Sequence, residues 1–336
     1  MLFISCTRNE QSDFEKHFLD KTLRINLIHT GDAGMESFKV DKIFDDGLWY
    51  GRTKNLVNPY RLGTYYYEVR DVETDELLYS DGVSTVFGEW RMTEDAKNKK
   101  SFHESIRVPY PNKMAKITMY KVDSIDVTEP VWEYVIDRKT RSLMEPTKNH
   151  NYRIMRLLDS GNPKEKVDIL ILGDGYTLNE IKRFDKDAIL FYNSFINTEP
   201  FKSRKSDFNV HAVQIPPVDE VNTLKTSDGF FGHDRYALTS DEWAFREYAT
   251  QAPYDYAVIL MNTDKSSGGS LYNLYITTAI RSQSIDYVMT HELGHHIAGA
   301  ADKFYSNTTD CDSLCYESYS YGLDTMIRNI LDLHTK

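Results

Sequence analysis

His291-Glu292-Leu293-Gly294-His295, followed by Gly299 and Asp302, is a spacing that can hold a metal ion. A helix turns every ~3.6 residues and rises ~1.5 Å per residue, so His291 and His295 project from one face roughly 6 Å apart along the axis. Two imidazoles so placed can share one tetrahedral Zn²⁺. Glu292 lies about 100° around the helix from His291, beside the metal, where a carboxylate can take a proton from metal-bound water. The chemistry these types and spacings allow is metal-assisted hydrolysis.

The elements that must position them can be read outward from the motif. Ser284 to Thr290 contains neither Pro nor Gly, so a helix can be under way before His291 arrives. Gly299 is its expected stop, because glycine at the C′ position tolerates the left-handed conformation that ends a helix. The chain can then return Asp302 to the metal as third ligand, leaving a fourth position open, as catalytic zinc sites do. His296 points about 100° away from His295 and reads as a surface or packed histidine, not a ligand.

Upstream, Ser266-Ser267-Gly268-Gly269-Ser270 is expected to be a Gly-rich turn feeding a strand over Leu271 to Ile280. Two readings stand for it. It is an ordinary loop into a sheet, or it leads into an edge strand that takes an extended peptide by backbone pairing, with Gly268, Gly269 and Tyr272 as contact residues. Val167 to Leu172 is a continuous apolar strand apart from Asp168, and Thr177 with Glu180 forms a capping box for a helix carrying Ile181, Phe184, Ala188, Phe191 and Phe195 at helical spacing. A strand around Val210, a helix after a Thr239/Glu242 capping box and a strand over Tyr256 to Met261 continue the alternation, so this half is layered α/β. Gly173-Asp174-Gly175 fails the dinucleotide fingerprint at Leu178.

The first half reads differently. Leu23, Ile25 and Leu27 alternate with polar Arg24 and Asn26; Tyr65-Tyr67-Val69, Phe102-Glu104-Ile106-Val108 and Ile117-Met119 repeat the period of two. Short strands so spaced predict an antiparallel β-sandwich. The divisions are residues 1–20 as a flexible N-terminus, 21–140 as the sandwich, 141–165 as a linker ending in Ser160-Gly161-Asn162-Pro163, and 166–336 as the catalytic half.

Composition bounds the partners. The 336 residues carry a net charge of −11, with Lys97 to Lys100 the one short basic run, which argues against nucleic acid. No stretch approaches the ~20 apolar residues of a membrane span. Three cysteines exclude a disulfide scaffold. Cys311 and Cys315 can bridge locally or stay free. Leu2-Phe3-Ile4-Ser5-Cys6 looks like the tail of a lipoprotein signal whose charged and apolar regions are missing. Either a longer signal precedes it and Cys6 carries a lipid anchor, or Cys6 is an ordinary thiol.

With Leu172-Gly173-Asp174-Gly175-Tyr176-Thr177, Gly268-Gly269 to Tyr272-Asn273, and the His291 to Asp302 motif, the chain resembles the immunoglobulin A peptidase family of bacterial zinc metallopeptidases. The resemblance spans most of the chain. It implies an α+β multidomain protein in which an N-terminal β-sandwich precedes a zincin-like catalytic domain. It further implies one catalytic zinc on His291, His295 and Asp302, Glu292 as acid/base, a protein or peptide substrate, and secretion or cell-surface anchoring. Related zincins place a Met-containing turn beneath the metal, for which Met326 is the candidate. Two departures are visible. Lys303 puts a cation beside Asp302 where the family pattern carries an acidic residue, and the sequence stops at Lys336, which reads as a shortened C-terminus.

The expected mechanism is hydrolysis with Glu292 as general base and Tyr305 as the nearest candidate for stabilising the oxyanion. Whether immunoglobulin is a substrate does not follow from a family. The alternative reading is a non-catalytic surface protein that binds a glycan or protein, with the second half a degenerate scaffold.

Overall fold

The computed structural model describes residues 13–123, 126–137, 143–146, 152–215, 223–281, 285–299 and 325–332. Cys6, Asp302, Lys303, Tyr305, Cys311 and Cys315 lie outside the described residues.

The first half runs α1 (Asp13–His17), β1 (Phe18–Gly31), β2 (Glu36–Asp45), β3 (Tyr65–Asp71), β4 (Leu77–Val83), α2 (Val86–Trp90), β5 (Lys100–Pro111), β6 (Ala115–Asp123) and β7 (Asp126–Ile136). These strands form two antiparallel sheets in the orders β2-β1-β5 and β4-β3-β6-β7. Period-two alternation decides what lies between them. Leu23, Ile25, Leu27, Ile106 and Val108 from one sheet meet Tyr65, Tyr67, Val69, Ile117 and Met119 from the other in a single core.

The polar face of β1 is also covered. Arg24 is 1% exposed and Asn26 3%. The Arg24 guanidinium bonds Asp46 at 2.9 Å and reaches Glu247 in the second half at 3.3 Å. Alternation alone predicts a solvent face here, but a helix of the second half lies over it.

The second half runs β8 (Ile154–Leu158), β9 (Val167–Asp174), α3 (Ile181–Asn197), β10 (Phe208–Gln214), β11 (Thr226–Ser227), β12 (Leu238–Thr239), α4 (Glu242–Ala249), β13 (Tyr256–Met261), β14 (Gly268–Leu271), β15 (Tyr275–Thr278) and α5 (Ile285–Ala298). Six strands make one sheet in the order β14-β15-β13-β9-β10-β8, parallel through its middle and antiparallel at both edges. Parallel strands need cover on both faces, and every residue of β9, β10 and β13 is buried. On one face Ile169, Ile171, Val210 and Val258 meet Phe184, Phe191 and Phe195 of α3 and Met289, Leu293 and Ile297 of α5. On the other, Leu170, Leu172, Ala257 and Ile259 meet Phe245 and Ala249 of α4 and share a core with the first half.

The Thr177/Glu180 capping box is present, with the Thr177 N–H donating to Glu180 Oε2 at 3.1 Å. The second expected box is not. Asp241 caps α4, accepting from Ala244 N at 3.1 Å, while Thr239 sits in β12 and its hydroxyl accepts from the Asp241 N–H at 3.0 Å. An aspartate one residue ahead of the helix outcompetes a threonine three residues ahead, because the cap must reach N2 or N3. Glu242 instead turns inward to Ser105. The glycines of the 266–270 segment are likewise not a turn. They lie in edge strand β14, and the turn falls at residues 272–274, where Asn273 has φ +55°.

Candidate active site

Packing sets the rotation of α5. Met289, Leu293 and Ile297 recur every four residues and are 0% exposed, each contributing about 1.5–3 kcal/mol of burial. That anchors one face in the core and leaves His291, Glu292 and His295 half-buried along the opposite one, lining a cleft of about 790 Å³. Gly299, at φ +59°, ends the helix and returns its N–H to His295 O at 3.0 Å.

The Nε2 atoms of His291 and His295 stand 3.0 Å apart, with the rings at 89° to one another. Zinc bound at ~2.0–2.1 Å to each of two imidazoles in a tetrahedron separates the nitrogens by ~3.3 Å. The pair therefore fits a divalent metal placed where the two nitrogens now meet. Among the described residues no group of three or more His, Cys, Asp or Glu side chains is poised for a metal, and Asp302 lies outside them.

Glu292 lies beside the pair and over β14, its Oε1 3.5 Å from where a Cβ on Gly268 would stand. The backbone of Gly268 is already engaged. Its N–H donates to Arg235 O and its carbonyl accepts from Ala237 N, both at 3.0 Å. Gly269 tolerates no side chain, since a Cβ would fall 2.5 Å from Ala237 O. Further along the strand, Ser270 lines the cleft with its Oγ buried and without a hydrogen-bond partner among the described residues. Tyr272 lines the cleft too. Its phenol is raised to a pKa beyond the ordinary range by burial and by nearby Asp81, the Arg52 charge opposing. Met326 falls in helical residues 325–332 with its side chain 41% exposed, while Ile327, Ile330 and Leu331 join the core.

His296 behaves as its rotation on the helix predicts. It is fully buried, its Nδ1 bonds Leu271 O at 2.9 Å, and Ala257 N donates to its Nε2 at 3.4 Å. Burial lowers its pKa to about 4, so the ring is neutral and structural.

Two cleft residues escape any reading of the motif. Glu89, on α2 of the first half, hydrogen-bonds Tyr236 of the second. Burial, with Glu89 and Glu292 nearby, raises the Tyr236 phenol well above its usual value, so it stays protonated and can donate. Thr85 holds α2 in place by accepting from Gly88 N at 3.0 Å, and Glu104 accepts from Phe87 N at 3.0 Å. Met92 and Thr93, just past α2, line the same cleft. The cleft is thus walled by both halves of the chain.

Two family models match this chain. One, described as the Peptidase M64 N-terminus, matches residues 13–133, and the other, described as IgA Peptidase M64, matches residues 155–319. No curated protein matches it.

Proposed function

Since the chain belongs to the IgA peptidase M64 family, we propose that it is a zinc-dependent metalloendopeptidase with a zincin-like catalytic half. The observation that carries this reading is the convergence of His291 Nε2 and His295 Nε2 to 3.0 Å in a large cleft, with the Glu292 carboxylate beside them. In this reading His291, His295 and Asp302 hold the ion. Zinc, when bound, supplies the Lewis acid that acidifies water and polarises the scissile carbonyl.

Glu292 takes the proton of the attacking water and returns it to the leaving amine, a role worth ~10²–10⁴-fold in rate. Tyr236, protonated and oriented by Glu89, is the phenol in the described cleft able to donate to the developing oxyanion; Tyr305 is a second candidate for that role. Ser270 and the ring of Tyr272 contact an extended chain laid along the cleft. The same reading carries the protein outside the cytoplasmic membrane through a lipid on Cys6.

The test is metal content together with hydrolysis. Purified protein should carry one zinc per chain, and Glu292→Gln should keep that zinc while losing turnover of an unstructured protein substrate. Full activity in Glu292→Gln, or no zinc in active protein, would overturn the assignment. Incorporation of labelled palmitate into the wild type but not Cys6→Ser checks the anchor.

A further inference from the structure

The cleft around the histidine pair carries one fixed positive side chain. Among its described lining residues the carboxylates are Glu89 and Glu292, and Arg235 is the one guanidinium or ammonium group. Glu89 is engaged by Tyr236. Arg235 is exposed, and its side chain makes no hydrogen bond or ion pair among the described residues. His233, also exposed, lines the cleft with it, whereas Asp234 between them does not.

The loop that presents these two residues is held in one shape. Gly229 and Gly232 have φ +83° and +81°, and Phe231 takes φ +56°. An aromatic residue keeps that conformation only where its surroundings impose it, and such residues concentrate at ligand-binding sites. Here Phe231 packs against the cluster of Phe87, Trp90 and Ala96 in the first half, with its ring 6.0 Å from that of Tyr236. The Phe230 N–H donates to Tyr236 O at 3.1 Å and the Tyr236 N–H to His233 O at 2.9 Å, which closes the loop on itself.

One more bond sets its place. Arg235 O accepts from the Gly268 N–H at 3.0 Å, and Gly268 is the residue over which the Glu292 carboxylate rests. The backbone of Arg235 is thus fixed one hydrogen bond from the strand residue beneath the proposed general base. A guanidinium so placed presents a planar fork that matches a carboxylate in two parallel hydrogen bonds. In open solvent such a pair contributes little, but a peptide laid across the cleft displaces water from it and strengthens the attraction. A cationic side chain at the same place is repelled.

We propose that Arg235, with His233 as a second donor beside it, is the specificity residue of the cleft and selects polypeptides with a glutamate or aspartate within about three residues of the scissile bond. The interval follows from chain geometry, since an extended peptide advances ~3.4 Å per residue and an arginine side chain spans about two such steps. The proposal rests on the peptidase reading and gives it a substrate class.

The experiment measures kcat/KM of the full, zinc-loaded chain on matched peptides. One glutamate is walked through the three positions on either side of the cleaved bond, each peptide being compared with its glutamine counterpart. Wild type should favour glutamate by about five-fold or more at one of these positions. That advantage should shrink at about 0.5 M salt, because the pair forms at the cleft surface. Arg235→Gln should bring the ratio close to one, Arg235→Lys should retain part of it, and Arg235→Glu should shift the preference to lysine. Equal rates for glutamate and glutamine at every position, or a preference that survives in Arg235→Gln, would overturn the proposal and leave the peptidase reading standing. No hydrolysis of any peptide by the zinc-loaded wild type would overturn that reading, and this proposal with it.

Discussion

The Glu292 carboxylate rests over the bare backbone of Gly268: a Cβ at Gly268 would meet Glu292 Oε1 at 3.5 Å, Val288 Cγ1 at 3.4 Å and Thr277 O at 3.0 Å. The residue proposed as general base and the edge strand are therefore fitted to one another through the absence of a side chain.

Gly268→Val should displace that carboxylate. Hydrolysis is expected to fall at least about ten-fold, equivalent to ~1.4 kcal/mol in the barrier, with zinc content unchanged. Assaying kcat/KM and bound metal on the same preparation checks it; unaltered turnover would mean that Glu292 has room to move aside.

Tyr236→Phe removes the phenol but keeps the ring, and Glu89→Gln removes the charge that orients it. If Tyr236 donates to the oxyanion, Tyr236→Phe should lower kcat by about 10²-fold with little change in KM, and Glu89→Gln should fall between it and wild type. Equal loss in kcat and stability, or none in either, would reduce Tyr236 to a packing residue.

Glu242 gives stability a pH dependence of definite sign. Its carboxyl is raised by burial from 4.5 to about 8, despite the opposing Arg246 charge, so the folded chain holds a proton there that the unfolded chain has released. Its contribution is complete below about pH 4.5 and is lost as pH rises toward 8. Glu242→Gln keeps an acceptor for Ser105 and should unfold at a higher temperature than wild type at pH 8, with the difference narrowing toward pH 5. A constant difference across that range would show that Glu242 does not carry the proton.

Gly299→Ala should destabilise the end of α5. The position has φ +59°, which costs an L-residue about 1–2 kcal/mol, and its Cβ would come within 3.1 Å of Leu62 Cβ. A lower Tm for Ala than for Asn, which visits this conformation more readily, is the expected order.

Local order carried much of what could be read without coordinates. The separation of His291 and His295 follows from helical pitch, the place of His296 as a packed histidine apart from that pair from its turn away from them, and the capping of α3 from Thr177 and Glu180 three residues apart. Period-two alternation was enough to find β1, β3, β5 and β6. Where two local signals competed, as at Thr239 and Asp241, proximity to the first turn decided for the aspartate.

The sequence by itself determined the helix, the histidine pair and the glutamate beside it, because those relations span a few residues and obey one helical geometry. Only the tertiary structure decided what faces them. Glu89 meets Tyr236 across 147 positions of chain, Arg24 is buried because α4 lies over β1, and the Gly268 edge is engaged because residues 235–237 pair with it. Contacts between distant segments depend on how whole sheets and helices stack to bury apolar surface, and no local pattern encodes which polar groups that stacking brings face to face.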